Sequence, residues 1–239
     1  MNSYFQFKQF TIHQNKCAMK VCTDACLFGA WIANKLFEEK IIPKKVLDIG
    51  SGTGLLSLML AQKVNTKIDA VELDEAAFIQ SKENIDAANF IKNIMVHHAD
   101  IISFKAIGKY DCILSNPPFF ENQLKSNNIE RNAAMHATTL SFIDLIMSIS
   151  NNLTTEGKAY LLLPFYALED FEKLLRTEHL FINEQVNINH TAKHHYFRAI
   201  IVIEKFSKAK IIRELIIKNN EGTYTNSFEH LLKDFYLNL

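Results

Sequence analysis

The stretch that most constrains this chain is Val46-Leu47-Asp48-Ile49-Gly50-Ser51-Gly52-Thr53-Gly54-Leu55, an apolar run that ends in alternating glycines and passes at once into a helical pattern. Such a run predicts a buried strand, a tight turn and the first turn of a helix. Gly50, Gly52 and Gly54 carry no Cβ, so the backbone there can take positive φ and come close to a ligand. In open α/β sheets, nucleotide-like ligands bind at this kind of junction, at the carboxyl end of a parallel strand.

The rest of the chain repeats that unit. Strands are expected at Val46–Asp48, Ile68–Glu72, Ile94–His97, Cys112–Leu114 and Ala159–Leu163, with helices over Leu55–Gln62, Asp74–Ala88, Leu140–Leu153 and Leu168–Arg176. Glu184–Ile188 and Ala199–Ile203 have no long helix between them, so they predict an antiparallel hairpin at one edge of the sheet. The fold class is therefore α/β, Rossmann-like: a mainly parallel seven-stranded sheet with an antiparallel edge hairpin, right-handed crossovers and helices on both faces. Before this core, residues 4–12 alternate aromatic and polar like one half-buried strand, and a helix is expected over Asp24–Leu36. Thr23 and Asp24 either cap that helix or touch a ligand. A strand-like Ile211–Ile217 and a helix over Phe228–Phe235 follow the core, while the polar 115–135 segment reads as a lid, a binding loop or a segment ordered only with substrate.

With 239 residues, 48% of them hydrophobic, the chain suits one domain: 1–40 an N-terminal strand and helix extension, 41–205 a cofactor-binding catalytic core, 206–239 a C-terminal extension. The start lacks the basic and apolar regions of a signal peptide, and no apolar run approaches the roughly 20 residues of a membrane span. A soluble, cytoplasmic protein with no membrane partner is expected. Cys17, Cys22, Cys26 and Cys112 form no CxxC pair and are expected to be buried, reduced thiols, with no metal site. The 26 basic and 26 acidic residues cancel, so any nucleic acid must be held by local patches and not by long-range steering.

Three further positions carry chemistry. Glu72 closes the second strand 22 residues after Gly50, where an acid can accept hydrogen bonds from both ribose hydroxyls of a nucleoside. Asp100 follows the third strand and could hold an exocyclic amine of adenine, with Leu73 and Ile101 on the two faces of the ring. The fourth strand runs into Asn116-Pro117-Pro118-Phe119-Phe120, where two prolines fix a rigid exit and remove two backbone donors. The Asn116 amide oxygen and the Pro117 carbonyl can both accept from one NH2 group, stabilising the positive charge that develops as a conjugated amine attacks. Phe119 can stack on the ring that carries the amine.

The glycine spacing is not the dinucleotide G-x-G-x-x-G, which disfavours a dehydrogenase; Asp-x-Gly-x-Gly-x-Gly resembles motif I of the S-adenosyl-L-methionine (SAM) methyltransferases. Adding Asn-Pro-Pro-Phe, the chain resembles the amino-group branch of the class I enzymes. The opening Phe-x-Phe-Lys-Gln-Phe, the Ala18–Trp31 block and the Tyr224–Leu237 block extend the match to nearly the whole chain, and it is similar to the bacterial tRNA1(Val) (adenine-37 N6)-methyltransferase family. The resemblance implies SAM as cofactor, tRNA (its anticodon stem-loop) as partner, and N6-methylation of an anticodon-loop adenine by direct transfer, without metal, in a monomer. It places Lys20, Thr23 and Asp24 near the methionine end of SAM, Asp48, Gly50, Gly52 and Gly54 along methionine and ribose, Glu72 on the ribose, and Asp100 with Leu73 and Ile101 at the adenine. Asn116, Pro117, Pro118 and Phe119 would take the target base, and Arg131 and His136 look like the family's basic positions for the tRNA backbone. Read from the residues alone, Lys8, Lys16, Arg131, Lys193 and Arg198 are either phosphate contacts or solvated surface charges. Phe119 stands where many adenine enzymes carry Tyr, which leaves an rRNA guanine-N2 methyltransferase open. Protein glutamine methylation and a non-catalytic SAM- and RNA-binding protein are the other readings.

Overall fold

A computed structural model describes residues 2–88, 93–118 and 140–239. Phe119, Arg131, His136 and most of the expected lid lie outside the described residues. The chain opens with β1 (Tyr4–Gln6) and β2 (Thr11–His13), then α1 (Thr23–Glu38), β3 (Lys45–Ile49), α2 (Leu55–Lys63), β4 (Lys67–Glu72), α3 (Glu75–Ala87), β5 (Ile94–His98) and β6 (Tyr110–Ser115). The second half runs α4 (Phe142–Asn152), β7 (Leu153–Pro164), a 3-10 turn (Phe165–Ala167), α5 (Leu168–Thr177), β8 (Phe181–Asn189), β9 (Arg198–Glu204), β10 (Ile211–Ile216) and α6 (Asn226–Leu232).

The main sheet has eight strands among the described residues, in the order β10-β8-β9-β7-β6-β3-β4-β5. The strands from β5 to β7 are parallel, and β9 runs antiparallel to both β7 and β8. The expected seven strands become eight because β10, from the C-terminal extension, pairs in parallel with β8. The antiparallel hairpin is thus next to the edge, not at it. That position explains the burial of β8, whose Asn183, Glu184, Gln185, Asn187 and Asn189 are all buried despite being polar.

Strand alternation sorts the apolar side chains onto the two faces. Val46, Ile68, Leu114, Leu162, Ile200 and Val202 join α1, α2, α3 and α6 in one cluster, whereas Leu47, Ile49, Val71, Ile113, Leu161 and Ile201 join α4 and α5 in the other. No described helix is long and apolar enough to cross a membrane.

The N-terminal stretch is not one strand. β1 and β2 pair as a hairpin, with Phe5 opposite Ile12. Phe7 and Phe10, both buried and stacked at 4.6 Å, turn the chain between them. Phe7 also bridges to Tyr236, and the Lys8 N–H donates to the Phe235 carbonyl (2.8 Å). Cys17, Cys26 and Cys112 are buried as expected, but Cys22, which precedes α1, is exposed.

Candidate functional site

The site begins at the end of β3. Gly50, Gly52 and Gly54 take φ of 69°, 56° and 80°, the region where only glycine is unstrained. The donors of this turn are committed within the fold: Gly50 and Ser51 N–H both go to the Val71 carbonyl (2.9 and 3.2 Å), Gly54 N–H to the Ser51 carbonyl (2.8 Å), and Gly52 N–H to Glu72 Oε2 (2.7 Å). A phosphate-binding loop presents such donors to its ligand. Here they are turned away, and a carboxylate stands among them. The geometry therefore disfavours a pyrophosphate and with it the dinucleotide reading.

The other glycine property is room. A Cβ at Gly50 or Gly52 would meet nothing within 4 Å, whereas at Gly54 it would come 2.9 Å from Ser81 Oγ. Gly50 and Gly52 thus leave open space at the turn, and Gly54 serves the close packing of α2 on α3.

Gly50, Glu72, Leu73, Asp100, Ile101, Pro117 and Pro118 line one crevice at the carboxyl ends of β3, β4 and β6. Glu72 also accepts the Asp74 N–H on Oε1 (2.9 Å), so both of its oxygens are oriented by backbone donors. Asp100 Oδ1 accepts from the Ile102 N–H (2.9 Å), which fixes the turn after β5. Ile101 is buried and Leu73 half exposed, as two walls of an apolar slot require. Acidic groups at Glu72, Asp100 and Asp144 give the crevice a negative lining that favours a sulfonium cation over a polyphosphate. The residues present fit SAM.

Asp48 is not a wall of that crevice. It is fully buried beneath the turn, with Oδ2 accepting from Ser57 Oγ (2.7 Å) and Oδ1 lacking a partner among the described residues. Burial pushes its carboxyl up to about 6, partly countered by the Ser57 hydrogen bond. Its side chain supports the turn from below.

Lys20, Thr23 and Asp24 are not among the described residues that line this crevice. Lys20 Nζ donates to the Gln14 carbonyl, and the adjoining Cys17 thiol is pushed up to about 11, first by burial and then by the carboxylates of Glu72 and Asp74. Thr23 is the first residue of α1 and does not cap it, whereas Asp24 is the acid expected in its first turn, Oδ1 accepting from the Ala25 N–H (3.1 Å). Asp24 Oδ2 pairs with Arg198 Nε at 2.9 Å, joining α1 to the start of β9.

At the end of β6, Ser115 Oγ donates to the Ile49 carbonyl (2.9 Å), locking the exit of β6 to that of β3. Asn116 is half-buried between two crevice residues, Ser115 and Pro117. Pro117 is buried and Pro118 exposed, so the corner lies on the crevice and reaches solvent.

The expected RNA contacts mostly have other partners. Lys8 Nζ donates to the Lys233 carbonyl (2.5 Å), Lys16 pairs with Glu83 (2.5 Å), and Arg198 with Asp24. Lys193 is exposed, and among the described residues it has no ion-pair partner. Among the described residues no cluster of His, Cys, Asp and Glu could hold a metal.

Two polar residues escaped the sequence reading. Asn84 of α3, 1% exposed, accepts the His13 N–H and donates to the carbonyls of His13 and Thr53, each at 2.9 Å. It clips the N-terminal hairpin to the glycine turn. Gln14 holds the 14–21 segment by accepting from the Val21 N–H (2.7 Å) and donating to the Asn2 carbonyl (3.1 Å). The available signal was Asn84 at helical spacing between Ser81 and Ile85, on the buried face.

Residues 28–142 match the methyltransferase small domain family. The chain is 38% identical over 245 residues to the tRNA1(Val) (adenine(37)-N6)-methyltransferase of Dyadobacter fermentans, which covers 99% of this chain and 98% of that one. It is 37% identical over 241 residues to the enzyme of the same name from Proteus mirabilis, covering 98% and 93%. A crystal structure of an S-adenosylmethionine-dependent methyltransferase from Clostridium acetobutylicum superposes with a TM-score of 0.55 at 15% identity, over 79% of this chain and 94% of that one, which establishes a shared fold.

Proposed function

Because this chain belongs to the tRNA1(Val) (adenine(37)-N6)-methyltransferase family, we propose that it transfers the methyl group of SAM to N6 of adenine 37 in the anticodon loop of tRNA(Val). The observation that carries this reading is the meeting of an acid-lined crevice, whose glycine donors are already committed, with the Asn116-Pro117-Pro118 corner.

Glu72, held by two backbone N–H groups, keeps lone pairs for ribose hydroxyls. Leu73 and Ile101 take the adenine of the cofactor between them, with Asp100 at its amine. Bound SAM supplies a methyl group already activated by its sulfonium. The protein therefore needs to position and polarise the nucleophile, without metal or covalent intermediate. Asn116 Oδ1 and the Pro117 carbonyl accept the two hydrogens of the adenine amine, which localises the nitrogen lone pair as positive charge builds. The rigidity of the Pro-Pro exit keeps these acceptors from relaxing away. The proton leaves to water after transfer. An anticodon-loop base is single-stranded, so extruding it costs a few kcal/mol at most. We read the enzyme as a cytoplasmic monomer acting on tRNA.

Asn116→Ala tests the mechanism. Methyl transfer is expected to fall by roughly 100-fold or more while SAM binding, measured by calorimetry, persists. Retained turnover overturns the assignment of Asn116. Nucleoside mass spectrometry of tRNA from a deletion strain tests the product: loss of N6-methyladenosine supports the reading, and loss of N2-methylguanosine points to the guanine alternative.

A further inference from the structure

The loop between β8 and β9 lies at the same end of the sheet as the crevice. β9 starts with Arg198 opposite Pro164, the last residue of β7, and β7 lies beside β6 with Leu161 opposite Ser115. Two strand spacings, about 10 Å, separate β9 from the strand that carries Asn116. The loop is therefore within a few nucleotides' reach of any base seated at the Asn-Pro-Pro corner.

Its composition is unlike the balanced remainder of the chain. From Gln185 to Ile203 there is no acidic residue, while residues 190–198 hold three histidines, Lys193, Tyr196, Phe197 and Arg198. Lys193, His194 and His195 are exposed. Exposed Tyr166, at 58%, sits on the turn after β7, and its neighbour Phe165 packs on Tyr196 at 5.0 Å.

The loop is also a built structure. Phe165 N–H donates to the Phe197 carbonyl (3.2 Å), Phe197 N–H to the Ile188 carbonyl (3.0 Å), and Lys218 N–H to the His190 carbonyl (2.8 Å). The His190 ring lies flat on Phe197 at 4.1 Å, and the Arg198 to Asp24 pair fixes the base of the loop to α1. With Arg198 committed to Asp24, Lys193 and the imidazoles still stand beside aromatic rings in a loop that itself carries no acid, which is what a single strand of RNA requires: phosphate contacts and stacking faces.

We propose that the 190–198 loop and the Phe165–Ala167 turn form the docking surface for the single-stranded nucleotides flanking the target base, with Lys193, His194 and His195 on phosphates and Tyr196 and Tyr166 stacking on bases. The proposal rests on the tRNA reading above. It adds that substrate affinity is set on this side of the crevice, by residues with no part in the methyl transfer itself.

The test is steady-state methylation of an in vitro transcribed tRNA at several salt concentrations, with calorimetry of SAM binding alongside. Lys193→Ala, at an exposed position, should raise KM for RNA and lower the slope of log KM against log salt by about one, the signature of one lost phosphate contact. A Tyr196→Ala variant should raise KM roughly tenfold and Tyr196→Phe should restore it, since a phenyl ring keeps the stacking face. In all three variants kcat at saturating RNA and the affinity for SAM should stay within about twofold of wild type. An unchanged KM and salt slope in Lys193→Ala, or a loss confined to kcat, overturns the proposal while the wild type still methylates tRNA. A wild type that methylates no tRNA overturns the reading beneath it as well.

Discussion

Replacing Asp48 by Asn isolates the electrostatic cost of the carboxylate under the glycine turn. Asp48 has no exposure, and burial lifts its carboxyl from 3.8 to about 6, with the Ser57 hydroxyl only partly opposing this. As pH rises, the unfolded chain gives up this proton first and the folded protein holds it until about pH 6. Between those points the folded state binds more protons, so stability falls as pH rises. Integrated from pH 4.5 to 7.5, the penalty is about 2 kcal/mol. The Asp48→Asn side chain keeps the shape and carries no charge. Its amide adds an offset of either sign, since Oδ1 lacks a partner among the described residues, but that offset does not vary with pH. The measurable quantity is therefore the change with pH of the stability difference between variant and wild type. Urea titrations followed by the fluorescence of the single tryptophan, Trp31, should show that difference moving in favour of the variant by about 2 kcal/mol across this window. Parallel pH profiles for the two proteins would refute the account of Asp48 as a buried charge.

Glu72→Gln removes an acceptor for either the Gly52 or the Asp74 N–H and should weaken SAM binding roughly tenfold or more by calorimetry; an unchanged affinity argues against its ribose role. Gly54→Ala places a Cβ 2.9 Å from Ser81 Oγ at φ 80° and should cost about 2 kcal/mol, read as a lower Tm. Asp69 accepts from Lys45 (2.8 Å), Tyr110 (2.7 Å) and His97 (3.0 Å); burial opposes its ionisation, yet these bonds hold its carboxyl below the usual range. Its stabilising contribution is present at neutral pH and lost as pH falls through that lowered value. Asp69→Asn should thus cost about 2 kcal/mol at pH 7, with the gap to wild type closing in acid.

The parallel core was legible because strands buried on both faces are continuous apolar runs, and each is followed by a helix of ordinary length. β10 was legible as a strand but not as the eighth of the sheet, because Ile211 and Ile212 are exposed and its partner β8 is polar. Phe5, Phe7 and Phe10 suggested one strand, yet Phe7 and Phe10 both point into the core, which only a turn between them allows. Crevice residues such as Glu72 and Asp100 could be read because their chemistry and strand-end position coincide. The roles of the cations could not, since their partners arrive from distant elements: Lys16 meets Glu83, and Arg198 meets Asp24 across 174 positions. The burial of Asp48 was not legible, because a sequence motif does not say which side of a turn an acid falls on.

The meeting of Phe7 and Lys8 with Phe235 and Tyr236 sets an order of assembly. The first hairpin cannot be seated until residues near 236 have left the ribosome, although the glycine turn it reaches through Asn84 is made far earlier. Each terminal segment thus supplies half of the contacts that hold the other, so truncating either one unfastens both.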